Sequence, residues 1–269
     1  MNNASIGVFD SGVGGLTCVE ELIHFMPHEN IVYLGDTARV PYGTRSRETL
    51  INYAKQDINF LKEHNVKMIL VACGTVSSVL PYVDLGDEVE VSGVVVPAAN
   101  SACAATKNKK VGVIGTGATI KSGSYGKVIR SIDPEIKVYG KACPLFVPLV
   151  ENGYTSPDCQ PVRYFAEEYL DGLKKEEIDT LILGCTHYPH LKEVISQIMG
   201  DGVKLISSGA ELAKHALKTM SYNDMLSDRQ EQGKLELYCT DSVELFTENV
   251  EKFLGKNING KISKCSLKF

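Results

Sequence analysis

Two of the eight cysteines stand where chemistry is often done. Cys73 closes the run Met68-Ile-Leu-Val-Ala-Cys73-Gly-Thr75, and Cys185 closes Thr180-Leu-Ile-Leu-Gly-Cys185-Thr-His187. Each run reads as an apolar strand, a small residue, a thiol and a polar turn leading into a helix. A thiol at a helix start feels the positive end of the helix dipole, which predicts a pKa drawn down from about 8.5 towards neutrality. Pro189 suits the first turn of a helix, where its missing N–H costs nothing, so a helix is well signalled after Cys185. Taken singly, a free cysteine is commonly a packing residue. As a matched pair the two predict a site with one thiol on each side of a cleft.

Other segments supply polar groups of the right kind. Asp10-Ser11-Gly-Val-Gly-Gly15 follows an apolar run and opens a helix. Its glycines permit close backbone approach, and helix N–H groups can hold an anion. The spacing is not that of a dinucleotide loop, and Asp10 would repel a phosphate; a carboxylate beside bare amides suits a zwitterion better. Gly115-Thr116-Gly-Ala-Thr119-Ile-Lys-Ser122 lacks the second glycine of a phosphate loop, so it is either a plain turn or a pair of hydroxyls for a carboxylate. Pro41-Tyr42-Gly43, preceded by Asp36 and Arg39, reads alone as a turn. His187 adjoins Cys185 and is expected to tune that thiol. His190 lies three residues on, but no third ligand accompanies the pair, so no metal is expected. Glu151 is a carboxylate inside the apolar run Val147-Pro-Leu-Val-Glu151.

The elements that must position these residues alternate along the chain. Strands are predicted over Ser5–Phe9, Ile31–Leu34, Met68–Ala72, Glu90–Val96, Lys110–Ile114, Ile136–Tyr139, Thr180–Leu183, Lys204–Ile206 and Leu235–Tyr238. Helical spacing marks Leu16–Met26, Glu48–His64, Ala98–Ala105, Pro161–Leu173, Leu191–Met199 and Ala210–Met220. Apolar strands separated by amphipathic helices imply parallel sheets covered on both faces, a doubly wound α/β fold. A fresh strand and Gly-rich turn after residue 107 start a second sheet, and the absence of a Pro/Gly/Ser linker predicts two packed lobes. In such sheets ligands bind beyond the carboxyl ends of the strands.

Bulk composition fits this. At 269 residues, 43% hydrophobic and 23% charged, the chain is an ordinary globular one. A net charge of −5 with no basic cluster gives no footprint for nucleic acid or an anionic membrane. No apolar run is long enough to span a bilayer. The opening MNNASIGVFDSGVGG lacks the pattern of a signal peptide, and no C-x-x-C pair occurs, so free thiols in a reducing cytoplasm are expected.

Together, Asp10-Ser-Gly-Val-Gly-Gly-Leu16, Gly35-Asp-Thr-Ala-Arg39, Pro41-Tyr-Gly43, Val71-Ala-Cys73, Val147-Pro-Leu-Val-Glu151 and Leu183-Gly-Cys-Thr-His-Tyr-Pro189 resemble the cofactor-independent aspartate/glutamate racemase family. The matches run in order from residue 5 to about 216. The resemblance implies a pair of pseudo-symmetric flavodoxin-like lobes with the substrate between them, made of about 1–97 with 208–269, and 98–207. It implies glutamate as substrate, D-glutamate for peptidoglycan as the purpose, neither PLP nor metal, and a homodimer. Aspartate or another small α-substituted acid is the alternative substrate, and a catalytically silent ligand-binding relative the alternative role. By resemblance Cys73 takes the α-proton of D-glutamate and Cys185 that of L-glutamate; Asp10 assists Cys73, and Glu151 with His187 assists Cys185. The substrate is expected to be held by Asp10, Ser11, Pro41, Tyr42, Gly43, Gly74, Thr75, Thr116, Thr119, Thr186 and His187.

Two matched thiols suit such a reaction. The α-proton of an amino acid is very weakly acidic, and inversion needs a base on one face and an acid on the other. Two positions depart from the family pattern. Gly74 stands where Asn usually follows the first cysteine, so either a water replaces that amide or affinity falls. Ile206-Ser207-Ser208 stands where Ile-Asp-Ser is frequent, which touches local capping.

Overall fold

The computed structural model describes residues 3–255 and 260–267. Among these, ten strands form in chain order: β1 (Ser5–Asp10), β2 (Ile31–Gly35), β3 (Val66–Val71), β4 (Glu90–Gly93), β5 (Lys110–Gly115), β6 (Lys137–Ala142), β7 (Thr180–Leu183), β8 (Lys204–Ser207), β9 (Leu235–Cys239) and β10 (Gly260–Lys264). They make two sheets, one of six strands in the order β10-β9-β2-β1-β3-β4 and one of four in the order β6-β5-β7-β8. Every pairing is parallel.

Side-chain alternation shows why both faces of each sheet are covered. In the larger sheet Ile6, Val8, Met68 and Leu70 point into one core, and Phe9, Ile69 and Val71 into another on the opposite face. In the smaller sheet Leu181 and Leu183 face one core, while Val111, Val113 and Ile182 face the other. A strand buried on both sides reads as a continuous apolar run, which is how these strands read in the sequence. Among the described residues no helix is long and apolar enough to cross a membrane.

Three local expectations change. The strand predicted over 90–96 ends at Gly93, and Val95–Ala105 is helical. Pro97 sits in that helix's first turn, where no intrahelical N–H bond is lost. This helix runs across the expected lobe boundary at residue 97 and packs Val95, Ala98, Ala99 and Ala102 into the core of the smaller sheet. Beyond residue 240, where no elements were expected, a helix over Val243–Leu254 and strand β10 appear. Strands β9 and β10 complete the larger sheet by pairing outward from β2.

Candidate active site

The site lies where the carboxyl ends of both sheets meet. β1 delivers Asp10 and Ser11, β3 delivers Cys73, β5 delivers Thr116, and β7 delivers Cys185, Thr186 and His187. Parallel pairing makes this automatic, because all carboxyl ends of a parallel sheet lie at one edge. Both thiols are buried.

The glycine loop after β1 and the loop carrying Cys73 both interlock with the Cys185 loop through backbone that leaves no room for a side chain. A β-carbon at Gly14 would lie 2.3 Å from Thr186 Oγ1 and 2.5 Å from His187 Nδ1. One at Gly74 would lie 2.1 Å from the Gly184 carbonyl oxygen. Thr17 Oγ1 donates to the Thr186 carbonyl at 3.1 Å, tying the helix after the glycine loop to the Cys185 turn. Gly74 is therefore more than a missing amide: in this closed arrangement no side chain fits there unless Gly184 moves away.

Cys73 precedes a helix of only four residues, Gly74–Ser77. Its thiol donates to Ser11 Oγ at 3.7 Å. Burial, followed by the charge of Asp10, pushes the Cys73 thiol up to about 12. This reverses the expectation of a dipole-lowered pKa: the dipole of one short turn is weak, while desolvation and a nearby carboxylate both disfavour the thiolate. Asp10 is itself buried, and burial holds its carboxyl above the usual carboxylate value despite the opposing charge of His187. It accepts from Gly12 N at 3.0 Å and from Thr186 Oγ1 at 3.3 Å, so its hydrogen bonds bridge the two sheets, and it acts on Cys73 by charge.

Cys185 has a different neighbour. Its Sγ lies 3.9 Å from His187 Nδ1, and His187 Nε2 lies 3.0 Å from Glu151 Oε1. Burial alone would lower the His187 pKa, but hydrogen bonds to Cys185 and Glu151 outweigh it and raise the value to about 10. The imidazole is thus protonated at neutral pH, with one N–H facing the Cys185 sulfur and one facing Glu151. Glu151 ends the helix Phe146–Glu151 with its side chain partly exposed. The 3₁₀ turn Tyr188–Leu191 follows, with Pro189 in its opening positions as expected. His190 turns away to pack edge-on against Phe253, 4.4 Å between ring centres.

The hydroxyls expected to hold substrate are close together. Thr75 Oγ1 is 2.9 Å from Thr116 Oγ1, which is 3.0 Å from Thr119 Oγ1. Thr116 also caps the helix Gly117–Ser122 by accepting from Thr119 N, so the turn and the polar site are the same object. Pro41, Tyr42 and Gly43 reach this group through Gly43, where a β-carbon would lie 2.9 Å from Thr116 Cβ. The Tyr42 hydroxyl faces elsewhere: it donates to Asp36, beneath the loop. Ser207 makes no side-chain cap, whereas Ser208 Oγ donates to the Leu183 carbonyl at 2.7 Å, beside the Cys185 turn.

Comparison with known proteins gives the family and relatives of the fold. The profile of the family described as Asp/Glu/Hydantoin racemase matches residues 11–216. The glutamate racemase of Geobacter metallireducens is 43% identical over 264 residues, covering 98% of this chain and 97% of its own length. Glutamate racemase 2 of Caldanaerobacter subterraneus subsp. tengcongensis is 45% identical over 261 residues, with 96% of each covered. Among solved structures, a glutamate racemase isoform from Bacillus anthracis superposes with a TM-score of 0.94 at 38% identity, covering 99% of both chains. The glutamate racemase of Francisella tularensis in complex with D-glutamate superposes with a TM-score of 0.90 at 36% identity, covering 99% of this chain and 98% of that one.

Proposed function

The chain belongs to the Asp/Glu/Hydantoin racemase family, and from that premise we propose that it interconverts L- and D-glutamate through Cys73 and Cys185, without a cofactor. The observation that carries this reading is the pairing of one buried thiol held neutral with another facing an imidazolium, at equivalent strand ends of two sheets. The Cys185 thiolate takes the α-proton of L-glutamate, and the bonding pair is left on the α-carbon. The Cys73 thiol then protonates the opposite face, giving D-glutamate and leaving a thiol at 185 and a thiolate at 73. That form is the one that converts D- to L-glutamate. Asp10, Ser11, Gly43, Thr75, Thr116, Thr119 and Thr186 hold the zwitterion, and His187 with Glu151 supports Cys185. A closed, water-poor site strengthens each of these contacts as charge develops.

In the same reading the lobes are 1–97 with 208–269, and 98–207; residues 1–2, 256–259 and 268–269 of these ranges lie outside the described residues. The protein works as a cytoplasmic homodimer supplying D-glutamate for peptidoglycan. Its cysteines, all free, suit a reducing compartment. The deciding experiment incubates the protein separately with D- and L-glutamate in heavy water with no cofactor, and follows the α-proton by NMR and inversion by polarimetry. Exchange with inversion from both enantiomers is expected. Neither exchange nor inversion would refute the reading, and inversion of aspartate alone would move it to a different substrate.

A further inference from the structure

Beneath the Pro41–Gly43 loop lies a buried charged cluster that the reaction above does not use. Asp36 follows β2, Asp57 lies on the helix Arg47–Lys62, and both carboxylates are inaccessible to solvent. One guanidinium serves both: Arg39 donates to Asp36, to Asp57 Oδ1 at 2.9 Å and to Gln56, and lies 4.1 Å over the Tyr53 ring. The Tyr42 hydroxyl donates to Asp36 and lies 3.3 Å from Asp57 Oδ2. Thr240, just past β9, donates to Asp36 Oδ1 at 2.9 Å and accepts from Ala38 N at 2.9 Å. Asp10 and Cys265 are the more distant titratable groups facing the cluster.

Two carboxylates against one guanidinium leave a surplus negative charge away from water, so one acid holds a proton. Burial, and then the Asp36 carboxylate, push Asp57 well above the usual carboxylate range. The cluster is then neutral: Asp36 and Arg39 form the ion pair, and Asp57 is a neutral hydrogen-bonding partner to Arg39 and Tyr42. From Tyr42 the loop runs directly to Gly43, against Thr116, whose hydroxyl meets Thr75 two residues beyond Cys73.

We propose that Asp57 is a positioning residue for the amino-acid substrate, fixing the Pro41–Gly43 loop through Arg39 and Tyr42 and thereby the seat beside Thr75 and Thr116. The proposal rests on the glutamate reading of the site. Asp57 touches no reacting atom, so its loss acts on binding more than on proton transfer.

The test compares Asp57→Ala, Asp57→Asn and Tyr42→Phe by steady-state kinetics and by calorimetric titration with D-glutamate. Losing a hydrogen bond to a charged partner costs about tenfold or more. Asp57→Ala is therefore expected to raise KM and the D-glutamate Kd about tenfold with kcat within about twofold, and Tyr42→Phe to do the same in smaller measure. Asp57→Asn, neutral and of the same shape, is expected to restore the wild-type values. A fall in kcat or in active fraction at constant KM and Kd would overturn the proposal, as would an Asn variant that is no better than Ala. Should Asp57→Ala fail to fold, Tyr42→Phe with unchanged KM and Kd overturns it on its own. The calorimetric arm separates this failure from that of the racemase reading: wild-type protein that binds D-glutamate without inverting it still reports the Asp57 effect, whereas wild-type protein that does not bind it refutes both.

Discussion

The charge that bears on Cys73 is the Asp10 carboxylate; Cys185 faces the His187 imidazolium backed by Glu151. Both thiols follow the carboxyl end of a parallel strand, and their electrostatic surroundings are opposite. In the two-base reading proposed above, a reaction that runs both ways needs two groups that exchange roles. Two identical surroundings would not distinguish them. Here burial and then a negative neighbour keep the proton on Cys73, whereas Cys185 has a positive neighbour, His187, 3.9 Å from its sulfur.

Breaking either side should separate the roles. Cys73→Ser and Cys185→Ser are each expected to reduce racemisation by at least about 10³-fold, since a hydroxyl is a far poorer base and general base catalysis is worth 10²–10⁴. In heavy water, Cys73→Ser should still exchange the α-proton of L-glutamate, and Cys185→Ser that of D-glutamate. If both variants exchange the same enantiomer, the assignment of faces is wrong.

His187 carries the contrast, so removing it should hurt next most. His187→Asn is expected to lower kcat about 10²-fold while leaving the thermal midpoint within a few degrees. The sign of its titration follows from a raised pKa: the ring holds its proton through neutral pH and loses it as pH rises through about 10. Histidine NMR should show one resonance titrating near that value. A His187 titrating near its ordinary 6.5 would remove the asymmetry.

The smallest effect concerns how closely the halves approach. Gly74→Ala places a β-carbon where the Gly184 carbonyl oxygen now lies. The variant is expected to lose about tenfold in kcat/KM, because displacements below 1 Å already misalign reacting groups. Unaltered kinetics would mean that the productive state is more open than this closed arrangement.

Much of this was legible in the residues. Apolar runs ending in Cys73 and Cys185 marked strands, because a strand buried on both faces cannot hide its composition. The site's electrostatics were less so. A helix dipole is readable from sequence, whereas the burial that overrides it at Cys73 depends on the other sheet. Val94 to Val96 looked like a strand end because β-branched residues before a proline usually are extended, but Val95 opens a helix that packs into the core of the smaller sheet, while Val94 stays in the core of the larger one and Val96 is exposed. Asp57 passed as one more polar residue of an amphipathic helix. A signal was present: it shares the buried stripe of Leu50, Ala54, Ile58 and Leu61, and an acid on an apolar stripe calls for a partner.

The order of the larger sheet bears on how the protein is made. A nascent chain that has emerged only through β8 already carries both cysteines, His187 and all the threonines of the site. It still lacks β9 and β10, two of that sheet's six strands, and Thr240, which holds Asp36 from the far end of the chain. Until the ribosome has released those last residues, β2 is an unprotected edge. The two strand-end thiols are thus translated early but assembled late, and a prematurely terminated chain has these residues without the scaffold to aim them.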